Sequence, residues 1–123
     1  MAIGTYGSKT RIESLRFASG GLKHAIYNQR NFQIQIIFGL IVIAAAWFLN
    51  FSRIEWLILI LTIGLVLASE LINTVVEVVV DLAVKERLLP DAKIAKDVAA
   101  AAVLLTSIFS VIIGLILFVP HFL

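Results

Sequence analysis

The chain of 123 residues contains no cysteine, which excludes disulfides and thiolate metal sites and leaves the redox compartment unspecified. Charge is also scarce. Only 15% of residues are charged and 61% are hydrophobic, whereas a soluble domain is roughly 45 to 50% apolar. With a mean hydropathy of +1.05 the chain reads as one small integral membrane unit. No charged side chain occurs from Asn31 to Ser52, and none follows Asp97. The Gly4-Thr-Tyr-Gly7-Ser-Lys9-Thr10 segment lacks the lysine directly after its second glycine and the preceding strand that a phosphate loop requires. His24 and His121 have no partner at metal-binding spacing and are expected to be interfacial side chains. The pI near 9.2 does not point to nucleic acid, because ten basic residues spread through so apolar a chain mark membrane flanks.

What is present is a run of apolar segments. An apolar core from Ile36 to Leu49 lies within residues 31–52, close to the roughly 20 residues a spanning helix needs. Ala44-Ala45-Ala46 resembles a signal-peptidase site but lies too far along the chain, so this span is read as retained. Asn50-Phe51-Ser52-Arg53 is a polar break before span two, residues 54–85, whose end carries Lys85-Glu86-Arg87 where cations complement the helix dipole. Pro90-Asp91 supplies a break and a cap for span three, residues 91–119. There Ala92, Ala95, Ala99 and Ala102 repeat at helical steps, the small-residue pattern that lets membrane helices approach closely. Ahead of span one, residues 8–28 predict an amphipathic surface helix, with Ile12, Leu15, Leu22 and Ile26 forming a stripe and Gly20-Gly21 a candidate break. Lys9, Arg11, Glu13, Arg16 and Lys23 are its charged positions. The whole is a single all-α membrane domain, residues 1–123.

Cations decide the orientation. Lys9, Arg11, Arg16, Lys23 and Arg30 precede span one, and Lys85, Arg87, Lys93 and Lys96 lie between spans two and three, against Arg53 alone in the remaining loop. The positive-inside rule then places the N-terminus and the end of span two in the cytoplasm and the C-terminus outside, with Trp47, Trp56, Phe118 and Phe122 as outer anchors.

Span two carries the chemistry. Glu70, Asn73, Glu77 and Asp81 recur at spacings of three and four, which stacks them on one helical face. Carboxylates within a spanning segment are expensive and mark a functional site. From Leu57 to Ser69 the only other polar side chain is Thr62, and the neighbouring spans add no charge at mid-depth. An ion or proton pathway would need polar groups at successive depths, so the ladder reads as an interfacial site. Carboxylate and amide oxygens suit Mg²⁺, and Lys93, Lys96 and Asp97 stand just beyond the loop. Metal and cations together could hold a polyphosphate for phosphoryl transfer. A polar seam that merely binds helices together is the structural alternative.

On these segments the chain resembles the prokaryotic diacylglycerol kinase family, and particularly its undecaprenol kinase branch. The resemblance rests on Arg30-Asn31, Ile54-Glu55-Trp56, Glu70-Leu-Ile-Asn73-Thr-Val-Val-Glu77, Val80-Asp81-Leu82, Ala95-Lys96-Asp97 and the run from Ala99 to Leu105. It implies a homotrimer in the bacterial inner membrane, transferring the γ-phosphate of MgATP to a lipid hydroxyl. By that resemblance Glu70 is the general base, Glu77 a metal ligand, and Asn73, Lys96 and Asp97 contact nucleotide phosphates or hold the site together. One position departs: where the family commonly has a second metal-binding glutamate, this chain has Gln29 in Gln29-Arg30-Asn31. An amide oxygen at Gln29 can still face Mg²⁺ and ATP, but without charge. A silent membrane scaffold, for which Gln29 is the hint, and a small transporter are the competing functions. Undecaprenol is favoured over diacylglycerol only through closeness to that branch, since apolar contacts discriminate poorly between lipid tails.

Overall fold

A capped helix opens the computed structural model, which describes residues 10–85, 87 and 89–123; Lys9, Glu86 and the Gly4 to Lys9 segment lie outside the described residues. Thr10 Oγ1 accepts the Glu13 N–H at 3.1 Å and satisfies one of the donors that a helix start leaves unpaired. The helix, α1, runs Arg11–Asn28 without interruption. The candidate break at Gly20-Gly21 is therefore absent. Neither glycine has a positive φ, and an interior glycine weakens a helix by about 1 kcal/mol without forbidding it.

Gln29 alone separates α1 from α2, Arg30–Phe48, with an extended backbone at φ −105° and ψ 107°. Its N–H still donates to Ala25 O and its own carbonyl accepts the Gln33 N–H, both at 3.0 Å, so the chain turns with few backbone bonds lost. Gln33 Nε2 reaches back to Ile26 O at 2.9 Å and satisfies a carbonyl orphaned by the end of α1. Ala25 and Phe32 bury themselves in this elbow.

Span one ends at Phe48 rather than at residue 52. Asn50 there takes a left-handed conformation, φ 54°, which asparagine tolerates better than most residues. Phe51 then folds inward and is buried. Ser52 starts α3, Arg53–Val84, with a capping box in which Ser52 Oγ accepts the Glu55 N–H and Glu55 Oε1 accepts the Ser52 N–H. At 32 residues α3 is about 48 Å long, well beyond a hydrocarbon core of about 30 Å. Part of it must project past the apolar layer. Lys85 closes α3 with φ 48°. Pro90 occupies the first turn of α4, Pro90–Phe118, where its missing N–H costs nothing. A short 3₁₀ turn, Val119–Phe122, ends the chain.

Among the described residues three helices are long and apolar enough to cross a membrane: α2, α3, and α4 with its terminal turn. Packing is strongest between α3 and α4, and α2 lies against α3. At Gly39 a Cβ would stand 3.3 Å from Ile63 Cγ2, so the absence of a side chain lets α2 and α3 close on each other. Ala92, Ala95 and Ala99 are half-buried, whereas Ala102 is exposed. Away from the ladder the core gathers Ala46, Phe51, Leu59 and Leu117. Phe51 packs against Phe118 and Trp56 and stacks on His121 with centroids 4.8 Å apart. Of the expected anchors, Trp56 and Phe118 thus belong partly to this core, while Trp47 and Phe122 are exposed.

Candidate active site

From Glu70 to Asp81 the ladder covers about 16 Å of α3 at 1.5 Å per residue. Its four members have different surroundings. Glu70 is 6% exposed and is the one buried polar or charged residue among those described. No described side chain hydrogen-bonds its carboxylate, although Thr74 Oγ1 donates to its main-chain carbonyl at 3.0 Å. One turn on, Asn73 Nδ2 donates to Glu77 Oε1 at 2.9 Å, the contact that a four-residue step permits. Glu77 itself is exposed. Asn73 Oδ1 is buried without a hydrogen-bond partner among the described residues, a desolvated acceptor that lowers its free energy when a donor or cation arrives.

Asp81 connects the ladder to α4, because Lys96 Nζ donates to Asp81 Oδ1 at 2.8 Å. Lys93 instead holds Asp97, Nζ to Oδ2 at 2.6 Å, within α4. The sequence neighbours Lys96 and Asp97 therefore turn to different partners. Both line a cleft of about 710 Å³ where α3 meets α4, and Arg87 and Lys93 add further cationic groups there. The cleft thus carries three basic side chains and the carboxylates of Asp81 and Asp97, which pair with two of them.

Gln29 sits half-buried at the elbow between α1 and α2, and its side chain makes no capping hydrogen bond. No hydrogen bond among the described residues joins Gln29 to Glu77 or to any ladder residue. No cluster of three or more His, Asp or Glu side chains suited to a metal ion occurs among the described residues.

Two polar contacts escape a reading of the sequence. Ser69 Oγ and Thr106 Oγ1 meet at 3.0 Å across the α3–α4 interface. At the end of the hairpin opposite the ladder, His121 Nε2 lies 2.6 Å from Glu55 Oε2, so His121 is paired with a carboxylate at the start of α3. Ser52-x-x-Glu55 is legible as a capping box, but nothing in the sequence announces the partner of His121. A second cleft, apolar and about 350 Å³ in volume, lies among α2, α3 and α4 beside Gly39, Leu59, Val66 and Gly114.

Comparison with known proteins gives this arrangement a context. Residues 16–118 match the prokaryotic diacylglycerol kinase family. A diacylglycerol kinase of Synechocystis is 47% identical over 107 residues, 87% of this chain and 61% of that protein, so the chain spans less than two thirds of that relative. The undecaprenol kinase of Bacillus subtilis is 38% identical over 108 residues, covering 88% of this chain and 87% of that one. A diacylglycerol kinase of Escherichia coli K12 is 32% identical over 122 residues, 99% of both chains. By a match over residues 16–118 that takes in α2, α3, α4 and the whole ladder, the chain belongs to the prokaryotic diacylglycerol kinase family.

Proposed function

We propose that the protein is a membrane lipid kinase that transfers the γ-phosphate of MgATP to a lipid hydroxyl, with undecaprenol favoured over diacylglycerol. The observation that carries this reading is the division of the ladder. A buried carboxylate, Glu70, stands about one turn from the half-buried amide of Asn73 and two turns from the exposed carboxylate of Glu77, on the side of α3 that leads to the cleft holding Arg87, Lys93 and Lys96. Phosphoryl transfer needs these separate environments, since the hydroxyl must lose a proton while the phosphates are held and neutralised elsewhere.

Glu70 accepts the proton of the lipid hydroxyl at its carboxylate, with the lipid tail lying along the apolar surface of the helices. Glu77 and the unpartnered Asn73 Oδ1 offer oxygen ligands that suit Mg²⁺, which keeps several waters and takes one or two carboxylates. Bound there, Mg²⁺ supplies positive charge against the phosphates. Lys96 exchanges Asp81 for a phosphate oxygen, and Asp97 holds Lys93 at the mouth of the cleft. Gln29 contributes an uncharged oxygen from the elbow. In this reading the unit is a homotrimer in the bacterial inner membrane, α1 lies as an amphipathic helix on the cytoplasmic surface, the site faces the cytoplasm and the C-terminus lies outside.

The test is transfer of labelled γ-phosphate from ATP by the purified protein to a panel of lipid alcohols. Phosphorylation of undecaprenol in excess of diacylglycerol is expected. Labelling of neither lipid by protein that remains folded refutes the kinase reading, and preference for diacylglycerol reverses the substrate assignment. The same assay examines Gln29. Gln29→Glu adds a charge that is unfavourable near Glu77 unless a cation lies between them. A lower Mg²⁺ concentration for half-maximal activity is expected in this variant. An unchanged Mg²⁺ titration would remove residue 29 from the metal site.

A further inference from the structure

Three polar contacts tie α3 to α4 and its terminal turn at successive levels: Glu55 with His121, Ser69 with Thr106, and Asp81 with Lys96. From the middle contact to the last is about 18 Å along α3 and about 15 Å along α4, so the antiparallel helices keep nearly one register. Glu70 and Glu77 lie between these two contacts.

The middle contact has too few protons for its geometry. Ser69 Oγ lies 2.7 Å from Val66 O, Thr106 Oγ1 lies 2.9 Å from Val103 O, and the hydroxyls lie 3.0 Å from each other. Each hydroxyl has one hydrogen to donate. Two hydrogens serve three contacts, so whichever hydroxyl donates across the interface releases the carbonyl of its own helix. Val66 O matters because the α-helical pattern also makes it the acceptor of the Glu70 N–H. On the other side, Glu70 O receives the Thr74 hydroxyl in addition to its helical donor. The backbone on both sides of Glu70 therefore carries a hydroxyl, and such back-bonding bends helices.

We propose that Ser69 and Thr106 are a positioning pair for Glu70. Their contact fixes the tilt of the Glu70 turn against α4 and so sets where the carboxylate stands. This rests on the reading of Glu70 as the base. Neither hydroxyl is required to touch the lipid or the nucleotide; both act through the backbone of α3.

The experiment compares wild type with Thr106→Val, Thr106→Ser, Ser69→Ala and the Ser69→Ala/Thr106→Val double variant, measuring kcat and both KM values for lipid phosphorylation. Thr106→Val keeps the side-chain shape and removes the hydroxyl. A fall in kcat of about tenfold is expected, because small displacements of a reacting group are costly. KM for MgATP and the melting temperature in detergent should stay at their wild-type values. Thr106→Ser should restore kcat, and the double variant should fall no further than the worse single variant. Should Thr106→Val fail to fold, Ser69→Ala carries the same expectation alone. Wild-type kcat in the folded single variants, a fall that Thr106→Ser does not restore, or a rise in KM at constant kcat overturns the positioning role and leaves the kinase reading standing. A wild-type protein inert toward every lipid overturns both.

Discussion

Glu77→Gln lowers lipid phosphorylation by about 10²- to 10³-fold, the scale on which losing one electrostatic partner of a transferring group is felt. The substitution separates charge from geometry. Glu77 meets Asn73 through one oxygen at 2.9 Å, and the glutamine carbonyl can accept the same hydrogen bond. The helix face and the Asn73 orientation are thus retained, and only the negative charge available to Mg²⁺ is removed. Replacing a carboxylate with an amide also lowers the cost of holding this part of α3 near the membrane, so the protein should purify as wild type does. The check is a Mg²⁺ titration of phosphate transfer at saturating ATP. Wild-type rates at low Mg²⁺ would take Glu77 out of the metal shell.

Glu70→Ala acts on a different step. Loss of a general base lowers kcat by roughly 10² to 10⁴, whereas nucleotide affinity should be almost unchanged, because no described cation or amide is bonded to the Glu70 carboxylate. Glu70→Gln fills the same buried space and should be as slow, which separates lost chemistry from lost packing. Equilibrium binding of a non-hydrolysable ATP analogue, measured beside turnover, distinguishes the alternatives. If affinity collapses while turnover at saturation survives, Glu70 belongs with the phosphates and the proton must be taken by another group.

Local spacing explains which parts of this architecture a reader of the sequence can reach. Asn73 and Glu77 are four residues apart and do meet, because the helix itself brings them together. Lys93 and Asp97 have the same separation and also pair, a relation that draws Asp97 away from Lys96. Contacts between helices are another matter. Ser69 and Thr106 are 37 residues apart and Glu55 and His121 are 66 apart, so their meeting depends on how α3 and α4 are registered, which no single helix encodes. The inward turn of Phe51 is hidden for a similar reason. An aromatic residue beside Asn50 and Ser52 reads as part of a polar break, and only the left-handed Asn50 directs it under Trp56 and Phe118. Gly20 and Gly21 misled in the opposite direction, since a low helix propensity does not oblige the chain to stop.

The contact between Glu55 and His121 also bears on how the chain is threaded during its synthesis. Glu55 opens α3 and His121 lies in the turn after α4, at the end of the hairpin away from the ladder. A ribosome makes Glu55 before His121, and the two meet only after the whole of α4 has been made and packed against α3. Until then Glu55 has its capping bonds but no imidazole, and Phe51 lacks the ring on which it stacks. The clasp is therefore a mark of completed topology: a chain whose last helix stalls halfway cannot close it.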